Sequence, residues 1–326
     1  MILVTGGTGH IGNVLVRELI RRGETVRVLV LPDEDCSSLN DVQVEIVEGD
    51  ILIPESLEKA VEGVEVIYHL AGMISILPEK SNLVHRINVE GTRNVLRAAK
   101  LGKIRRLIYT SSIHALGRPP HGITIDESIP FDPISSEGAY DRSKAEASLA
   151  VLEAATEGMD AVIVCPTGVI GPYDFRGSRM GTLILDAIKS KLQFWVEGAY
   201  DFVDVRDVAH GMILACQKGK AGESYILGGE RISVKGIYDV INEITGKHSL
   251  RLKIPGWFAR FAAKCALVYY DISRSQPLFT PYSLATLTSN SYVSWNKAKI
   301  HLGYHPRPLK VSISDTIHWL KTRTLG

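Results

Sequence analysis

Three glycines at three-residue spacing, Gly6, Gly9 and Gly12, stand between an apolar run, Ile2–Thr5, and an amphipathic run, Ile11–Arg22. The first run reads as a strand and the second as a helix. A strand that turns at once into a helix needs backbone free of side chains. Gly6 suits the tight turn, Gly9 leaves the backbone bare for a close approach, and Gly12 lets the helix lie near the sheet. The first N–H groups of the helix, with its dipole, then favour an anionic occupant such as a pyrophosphate. Glycine-rich turns of this kind also occur with no nucleotide. The strand before and the helix after favour a dinucleotide, with Thr8, His10 and Ile11 in the same loop.

The rhythm continues through the first half. Thr25–Leu31, Val42–Val47, Glu65–Leu70, Arg105–Ser111 and Ala161–Cys165 read as strands. Glu55–Val61, Asn82–Ala99 and Glu137–Ala155 read as helices between most of them. Such alternation implies an α/β fold: a doubly wound parallel sheet of Rossmann type with right-handed crossovers. Ligands bind beyond the carboxyl ends of such strands. The glycine loop, Ser111-Ser112 and Pro166-Thr167 should therefore converge.

After about residue 170 the pattern loosens into Gly-, Pro- and aromatic-rich stretches. We expect residues 1–170 to form the dinucleotide-binding domain, with segments near 200–232 returning to it. Residues 171–199 and 233–326 should form mainly a smaller, discontinuous substrate-binding cap. A last helix near Ser312–Thr322 has Ile313, Ile317 and Leu320 at packing positions. Trp257, Phe258, Phe261, Ala262, Cys265, Val268 and Tyr269 make an apolar helical stripe. It reads as core or as pocket lining; with only Arg260 and Lys264 beside it, attachment to a membrane surface is the poorer reading.

With 37 basic against 36 acidic side chains and no basic stripe, a nucleic-acid partner is not expected. Cys36, Cys165, Cys216 and Cys265 are far apart, which suits free thiols in a reducing compartment and no metal site. Met1–Val4 lacks a basic leader, and no 18-residue apolar stretch occurs, so we expect a cytoplasmic protein with no membrane partner.

Tyr140 and Lys144 stand four apart in a predicted helix, so both face one side. A free tyrosine, with a pKa of about 10, is a poor base. A neighbouring ammonium and a positive nicotinamide ring favour phenolate, and a shift of about 3 units is within reach of a dry cleft. Tyr140 could then exchange a proton with a substrate oxygen while hydride passes to or from nicotinamide. Such pairs also arise by chance on exposed helices. A hydroxyl from Ser111-Ser112, at a strand end, could orient a carbonyl or simply make a turn. Asp50 reads equally as an acceptor for adenine and as a helix N-cap ahead of Pro54. His114 lacks partners for a hydrolytic triad and reads as pocket lining or surface.

Together these residues resemble the extended short-chain dehydrogenase/reductase family, also called the NAD-dependent epimerase/dehydratase family. The resemblance spans almost the whole chain. It rests on Thr5–Gly12, Gly49-Asp50-Ile51, His69-Leu70-Ala71-Gly72, Asn88–Thr92, Tyr109–Ser112, Tyr140–Lys144, Pro166–Pro172 and Phe202–Ala209. It implies a catalytic Ser112, Tyr140 and Lys144, with Ser112 chosen because it stands five residues before Gly117. It further implies cofactor contacts from Gly6, Thr8, Gly9, His10, Ile11, Gly12, Leu31, Asp50, Ile51, Leu70, Ala71, Gly72, Asn88, Thr110, Tyr140, Lys144, Pro166, Thr167 and Val169. Asp207 matches a position that looks mainly structural. Family members commonly dimerise through the helices at Asn88–Ala99 and Tyr140–Ala155, so a homodimer built on a four-helix bundle is expected.

Departures from the pattern narrow the subclass. Tyr200 stands where nucleotide-sugar epimerases carry a diphosphate-gripping arginine, and Ser112-Ile113-His114 replaces the dehydratase Thr-Asp-Glu. The chain is more similar to dihydroflavonol-reductase-like and hydroxysteroid-dehydrogenase-like members. We therefore expect an NAD(P)-dependent reductase or dehydrogenase acting on a carbonyl or secondary alcohol of a small, mostly uncharged substrate. A sugar epimerase and a non-catalytic dinucleotide sensor are the alternatives. Neither Val30 nor Leu31 supplies the charge that separates NAD from NADP; Asp33-Glu34-Asp35 would repel a 2′-phosphate, which favours NAD.

Overall fold

The computed structural model describes residues 1–75, 81–134, 138–263 and 281–324. Strands β1 (Ile2–Thr5), β2 (Val26–Val30), β3 (Glu45–Glu48), β4 (Val66–His69), β5 (Arg106–Thr110) and β6 (Ala161–Pro166) alternate with helices α1 (His10–Arg21), α2 (Pro54–Ala60), α3 (Ser81–His85), α4 (Gly91–Leu101) and α5 (Ala139–Thr156). Then come β7 (Gly168–Ile170), α6 (Arg179–Lys189), β8 (Leu192–Trp195), β9 (Ala199–Asp204), α7 (Val205–Lys218), β10 (Ser224–Leu227), β11 (Glu230–Ser233), α8 (Val234–Thr245) and β12 (Leu250–Lys253). The last helices are α9 (residues 256–263), α10 (Pro281–Thr288), α11 (Asn296–Leu302) and α12 (Leu309–Thr324).

Seven strands form one parallel sheet in the order β10-β6-β5-β4-β1-β2-β3. The order reverses between β1 and β4, which opens the ligand crevice at their carboxyl ends. Successive strand residues point to opposite faces. Leu3, Ile67, Leu107 and Ile163 join Val95 of α4 and Val151 of α5 on one face. Val4, Val28, Ile108 and Val164 join Leu15 of α1 and Met212 of α7 on the other. Burial on both faces explains why these strands read as continuous apolar runs.

A second layer holds the sheet β11-β9-β7 and the parallel pair β12-β8. Ile184 of α6, Ile237 of α8, and Ile313 and Ile317 of α12 pack with Phe202 there, and Leu320 packs against them as its spacing suggests. Ala298 and Leu302 of α11, with Tyr304, return to the core of the large sheet.

Two elements differ from the sequence pattern. β3 starts at Glu45 because pairing with the edge of β2 runs from Arg27↔Glu45 to Val30↔Glu48. Val42 and Val44 pack on the core from the preceding loop. The single helix expected over Asn82–Ala99 is three pieces, with a π turn at Arg86–Glu90 between α3 and α4. The residues 135–137, where the next helix was expected to begin, lie outside the described set.

Candidate active site

The glycine loop lies at the carboxyl end of β1, beside the switch point. Gly6 has φ +73°, and a Cβ there would meet Ala71 N at 2.7 Å. A Cβ on Gly12 would stand 2.1 Å from the Gly6 carbonyl oxygen. These two glycines hold the turn together. Gly9 is different: its Cβ would meet only the Gly6 oxygen, at 3.3 Å, so the space beyond it is open. Gly9 is also the N-cap of α1, with no side-chain cap and no acid in the first turn. The first N–H groups of α1 are thus left for an anion. Gly12→Ala is expected to destabilise the fold by about 1–3 kcal/mol. Thermal unfolding with and without added dinucleotide measures both that loss and the loss of ligand-induced stabilisation.

No acid stands at the tip of β2, but Glu34, four residues beyond the strand, turns back toward the glycine loop. Its Oε2 accepts from Leu31 N at 2.9 Å and its Oε1 from Thr8 Oγ1 at 2.5 Å. Asp33, with φ +61°, makes the turn that sends Glu34 back. Arg176 donates to Glu34 and, at 2.8 Å, to Thr8 Oγ1. Burial raises the Glu34 pKa, but the bonds from Thr8, Leu31 and Arg176 outweigh it, so the carboxylate stays charged at neutral pH. His10 Nε2 reaches the Pro172 carbonyl at 2.9 Å. Asp50 is not the N-cap of α2, which is Ile53. Its Oδ1 accepts from Leu52 N at 2.8 Å in an Asx turn that leads into the helix. Ile51 is buried and packs against Gly91.

The three proposed reacting side chains meet on the far side of the crevice. Residues 111 and 112 leave β5 in opposite directions. Ser111 Oγ bonds Ser148 Oγ at 2.6 Å, whereas Ser112 Oγ accepts from His114 N at 3.2 Å and lies close enough to the Tyr140 phenol to favour its ionised form. Lys144 donates to the Thr110 carbonyl at 2.6 Å and to Tyr109 Oη at 3.2 Å. Lys144 Nζ and Asn88 Oδ1 lie 3.6 and 3.1 Å from the point where Gly72 would carry a Cβ. A Cβ at position 72 would crowd Asn88 and touch Lys144. Asn88 itself sits in the π turn; it accepts from Met73 N at 2.7 Å and donates to Met73 O at 3.0 Å and to Ser143 Oγ at 2.8 Å. A π turn at such a place is a common device for aiming a functional side chain.

Burial dominates the charges. It pushes the Tyr140 phenol up to about 12, against the nearby Ser112 hydroxyl, with the Asp141 carboxylate adding to the rise. It pushes Lys144 down to about 7. Burial outweighs any help from Lys144, whose hydrogen bonds go to Thr110 and Tyr109. The Tyr140 phenol is uncharged at neutral pH. Behind Lys144, His69 is buried between Thr5 Oγ1 at 2.7 Å and Thr92 Oγ1 at 3.0 Å. Burial, aided by the Lys144 charge, pushes it down to about 3, so it stays neutral.

Next to Tyr140 stand polar groups that the sequence did not single out as partners. Tyr200 Oη lies 2.9 Å from His114 Nε2, and their rings stack at 5.7 Å between centroids. Burial lowers the His114 pKa and raises that of Tyr200, so the pair is uncharged at neutral pH. Asp141 is buried and accepts from Arg118 at 2.6 Å and from Tyr282 Oη at 2.5 Å. Tyr282 and Arg118 carry no motif; they are found only through contacts across the fold. Asp207 accepts from Arg307 at 2.8 Å and ties α7 to the chain before α12, a structural task. Thr167 is buried and Val169 half-buried, both just beyond Pro166 at the end of β6.

The apolar stripe is not core in its described part: Trp257, Phe258 and Phe261 are exposed. Cys265, Val268 and Tyr269 lie outside the described residues. Cys36, Cys165 and Cys216 are free thiols.

Comparison with known proteins identifies the family. The model of the NAD dependent epimerase/dehydratase family matches residues 2–228. Sterol demethylase protein B of Methylococcus capsulatus is 35% identical over 323 residues, covering 98% of each chain. Human 3 beta-hydroxysteroid dehydrogenase type 7 is 29% identical over 361 residues, 99% of this chain and 96% of that one. The crystal structure of gox2253 superposes with a TM-score of 0.85 at 33% identity, covering 99% of this chain and 98% of that one. The chain thus belongs to the NAD-dependent epimerase/dehydratase family and is an enzyme of the extended short-chain dehydrogenase/reductase type.

Proposed function

We propose that the protein is an NAD(P)-dependent reductase or dehydrogenase of a carbonyl or secondary alcohol on a mostly uncharged substrate. One observation carries this reading: the phenol of Tyr140 meets the Ser112 hydroxyl beside a neutral Tyr200–His114 pair, where a diphosphate would need a cation. Arg118 is engaged by the buried Asp141. Arg179 of α6 is desolvated enough that burial lowers its pKa, which Tyr282 partly offsets, so one guanidinium stands beside Tyr282.

The residues fit a dinucleotide. The N–H groups of residues 10–12 suit the pyrophosphate, Glu34 the adenosine ribose hydroxyls, and Asp50 and Ile51 the adenine edge. Leu70, Ala71, Gly72 and Lys144 suit the second ribose, and Pro166, Thr167 and Val169 the nicotinamide. Bound there, the nicotinamide supplies or accepts hydride. In reduction Ser112 orients the substrate carbonyl, and Tyr140 donates the proton to its oxygen. Lys144 stabilises the phenolate that remains, and Asn88 holds the 73 loop in place. The C-terminal layer receives the substrate. A carbonyl panel with reduced dinucleotide tests the reading: lasting consumption of the reduced form is expected. Interconversion of sugars with no net change in the nicotinamide absorbance would identify an epimerase instead.

Glu34 favours NAD, since its carboxylate accepts from ribose hydroxyls and repels a 2′-phosphate. Glu34→Gln is expected to lower the preference for NAD over NADP by roughly tenfold to a hundredfold, with Arg176 released to meet the phosphate. Fluorescence titration of both dinucleotides measures the ratio.

No helix among the described residues is long and apolar enough to cross a membrane. The separated free thiols suit the cytoplasm. We place a homodimer interface on α4 and α5, where Leu149 is exposed; light scattering reads the mass.

A further inference from the structure

Between β7 and α6 the chain crosses the glycine loop. Residues 171–177 make this crossing and touch the loop on both sides of Gly9. On one side Arg176 donates to Thr8 Oγ1 at 2.8 Å, across 168 residues of sequence. On the other, His10 Nε2 lies 2.9 Å from the Pro172 carbonyl oxygen, across 162. Gly9, whose Cβ would meet only the Gly6 oxygen, is bracketed by these two contacts.

The segment is fastened from outside the crevice. Arg17 of α1 places its guanidinium 4.8 Å from the centre of the Tyr173 ring and 5.8 Å from that of Phe175. Trp319 of α12 meets Phe175 edge-on at 5.5 Å between centroids and Tyr173 at 6.5 Å. Asp174 is buried and accepts from Ser178 N at 2.7 Å. Tyr173 has φ +66°, which costs a non-glycine residue about 1–3 kcal/mol. Arg17 and Trp319 hold its ring in that state.

Arg176 is only half used. Its Nη2 makes the bonds to both Thr8 and Glu34. Nε and Nη1 make no hydrogen bond to the described residues, and the side chain is 59% exposed. A guanidinium carries its N–H donors in a fixed fork that matches two phosphate oxygens. The Glu34 carboxylate stays ionised beside the glycine loop. Alone it would repel a pyrophosphate, and Arg176 offsets that charge.

We propose that residues 171–177 form a strap that closes over the dinucleotide pyrophosphate, with Arg176 as its catch. The free N–H groups of Arg176 donate to the phosphate oxygens from the side opposite the N–H groups of α1. Its Nη2 keeps hold of Glu34 above the adenosine ribose. The dinucleotide enters and leaves only when Arg176 lets go of Thr8 and Glu34. The inference rests on the dinucleotide site proposed above, and it holds for a reductase and an epimerase alike.

Stopped-flow fluorescence of the full chain with reduced NAD, and with reduced NADP, tests it. Arg176→Met should speed release by about tenfold to a hundredfold and weaken binding, the effect of losing hydrogen bonds to a charged group. Arg176→Lys keeps the charge without the fork and should recover part of the affinity. Trp319→Ala reaches the site only through the strap. It should speed entry and release together by about threefold or more, with affinity nearly unchanged. Because Arg176 is exposed, its variants should keep the thermal midpoint of the ligand-free parent. Release from Arg176→Met at the parent's rate would overturn the proposal. So would a midpoint that falls with Arg176→Met while affinity holds, which would make the contact a structural tie. Failure of both dinucleotides to bind the parent would remove the site itself, and the strap's role with it.

Discussion

Tyr140→Phe should lower kcat for carbonyl reduction by about 100- to 10,000-fold, the range for loss of a general acid. Dinucleotide affinity should stay within about threefold, because the ring and its packing remain. Burial pushes the phenol up to about 12, so it is protonated at neutral pH. It is therefore ready to give a proton to a carbonyl oxygen. Oxidation of an alcohol needs it deprotonated first, so the oxidative rate should climb with pH through the neutral range. Steady-state rates in both directions, across pH, check this. A variant as active as the parent in reduction would remove Tyr140 from the chemistry.

Lys144→Met should abolish most turnover and also change how stability depends on pH. Lys144 is 5% exposed, and burial pushes it down to about 7, against an ordinary 10.5. Between those values the unfolded chain holds a proton that the folded chain has released. Stability contributed by this group therefore rises with pH through that window, and the burial penalty is fully present below it. From pH 7 to pH 9 the parent should gain about 2–3 kcal/mol from this source, at about 1.4 kcal/mol per unit. The methionine variant should lose that gain. Urea unfolding of both proteins at the two pH values gives the difference directly. Met cannot donate to the Thr110 carbonyl, so the absolute stability combines a lost hydrogen bond with a lost buried charge. The slope isolates the charge.

Sequence pattern carried the large sheet and much of the candidate site, for physical reasons. Strands buried on both faces must be apolar throughout, and Ile108 or Val164 offers no other reading. The glycine spacing is forced by contacts of 2.1 and 2.7 Å around Gly12 and Gly6. Local motifs do not encode what arises across the fold. Glu34 reaches Thr8 because Asp33 turns the chain back, which no strand-end rule anticipates. His114 and Tyr200 are 86 residues apart and meet only when β9 lies beside the end of β5. The π turn is fixed by bonds from Asn88 to Met73, so helical periodicity alone reads straight through it. The stripe at Trp257 to Phe261 looks the same in sequence whether it faces core or solvent. The hydrogen bonds of Lys144 to Thr110 and Tyr109 also cross the fold, and helical spacing alone does not reveal them.

Deuterium transfer reaches the chemistry most directly. The parent and Tyr140→Phe are supplied with reduced dinucleotide deuterated at nicotinamide C4 and a panel of ketones, and the products are read by mass spectrometry. One deuterium on the new carbinol carbon is expected for the parent, with product nearly absent for the variant. Unlabelled ketone recovered from the parent across the panel, or equal labelling by the variant, would contradict hydride transfer assisted by the Tyr140 phenol.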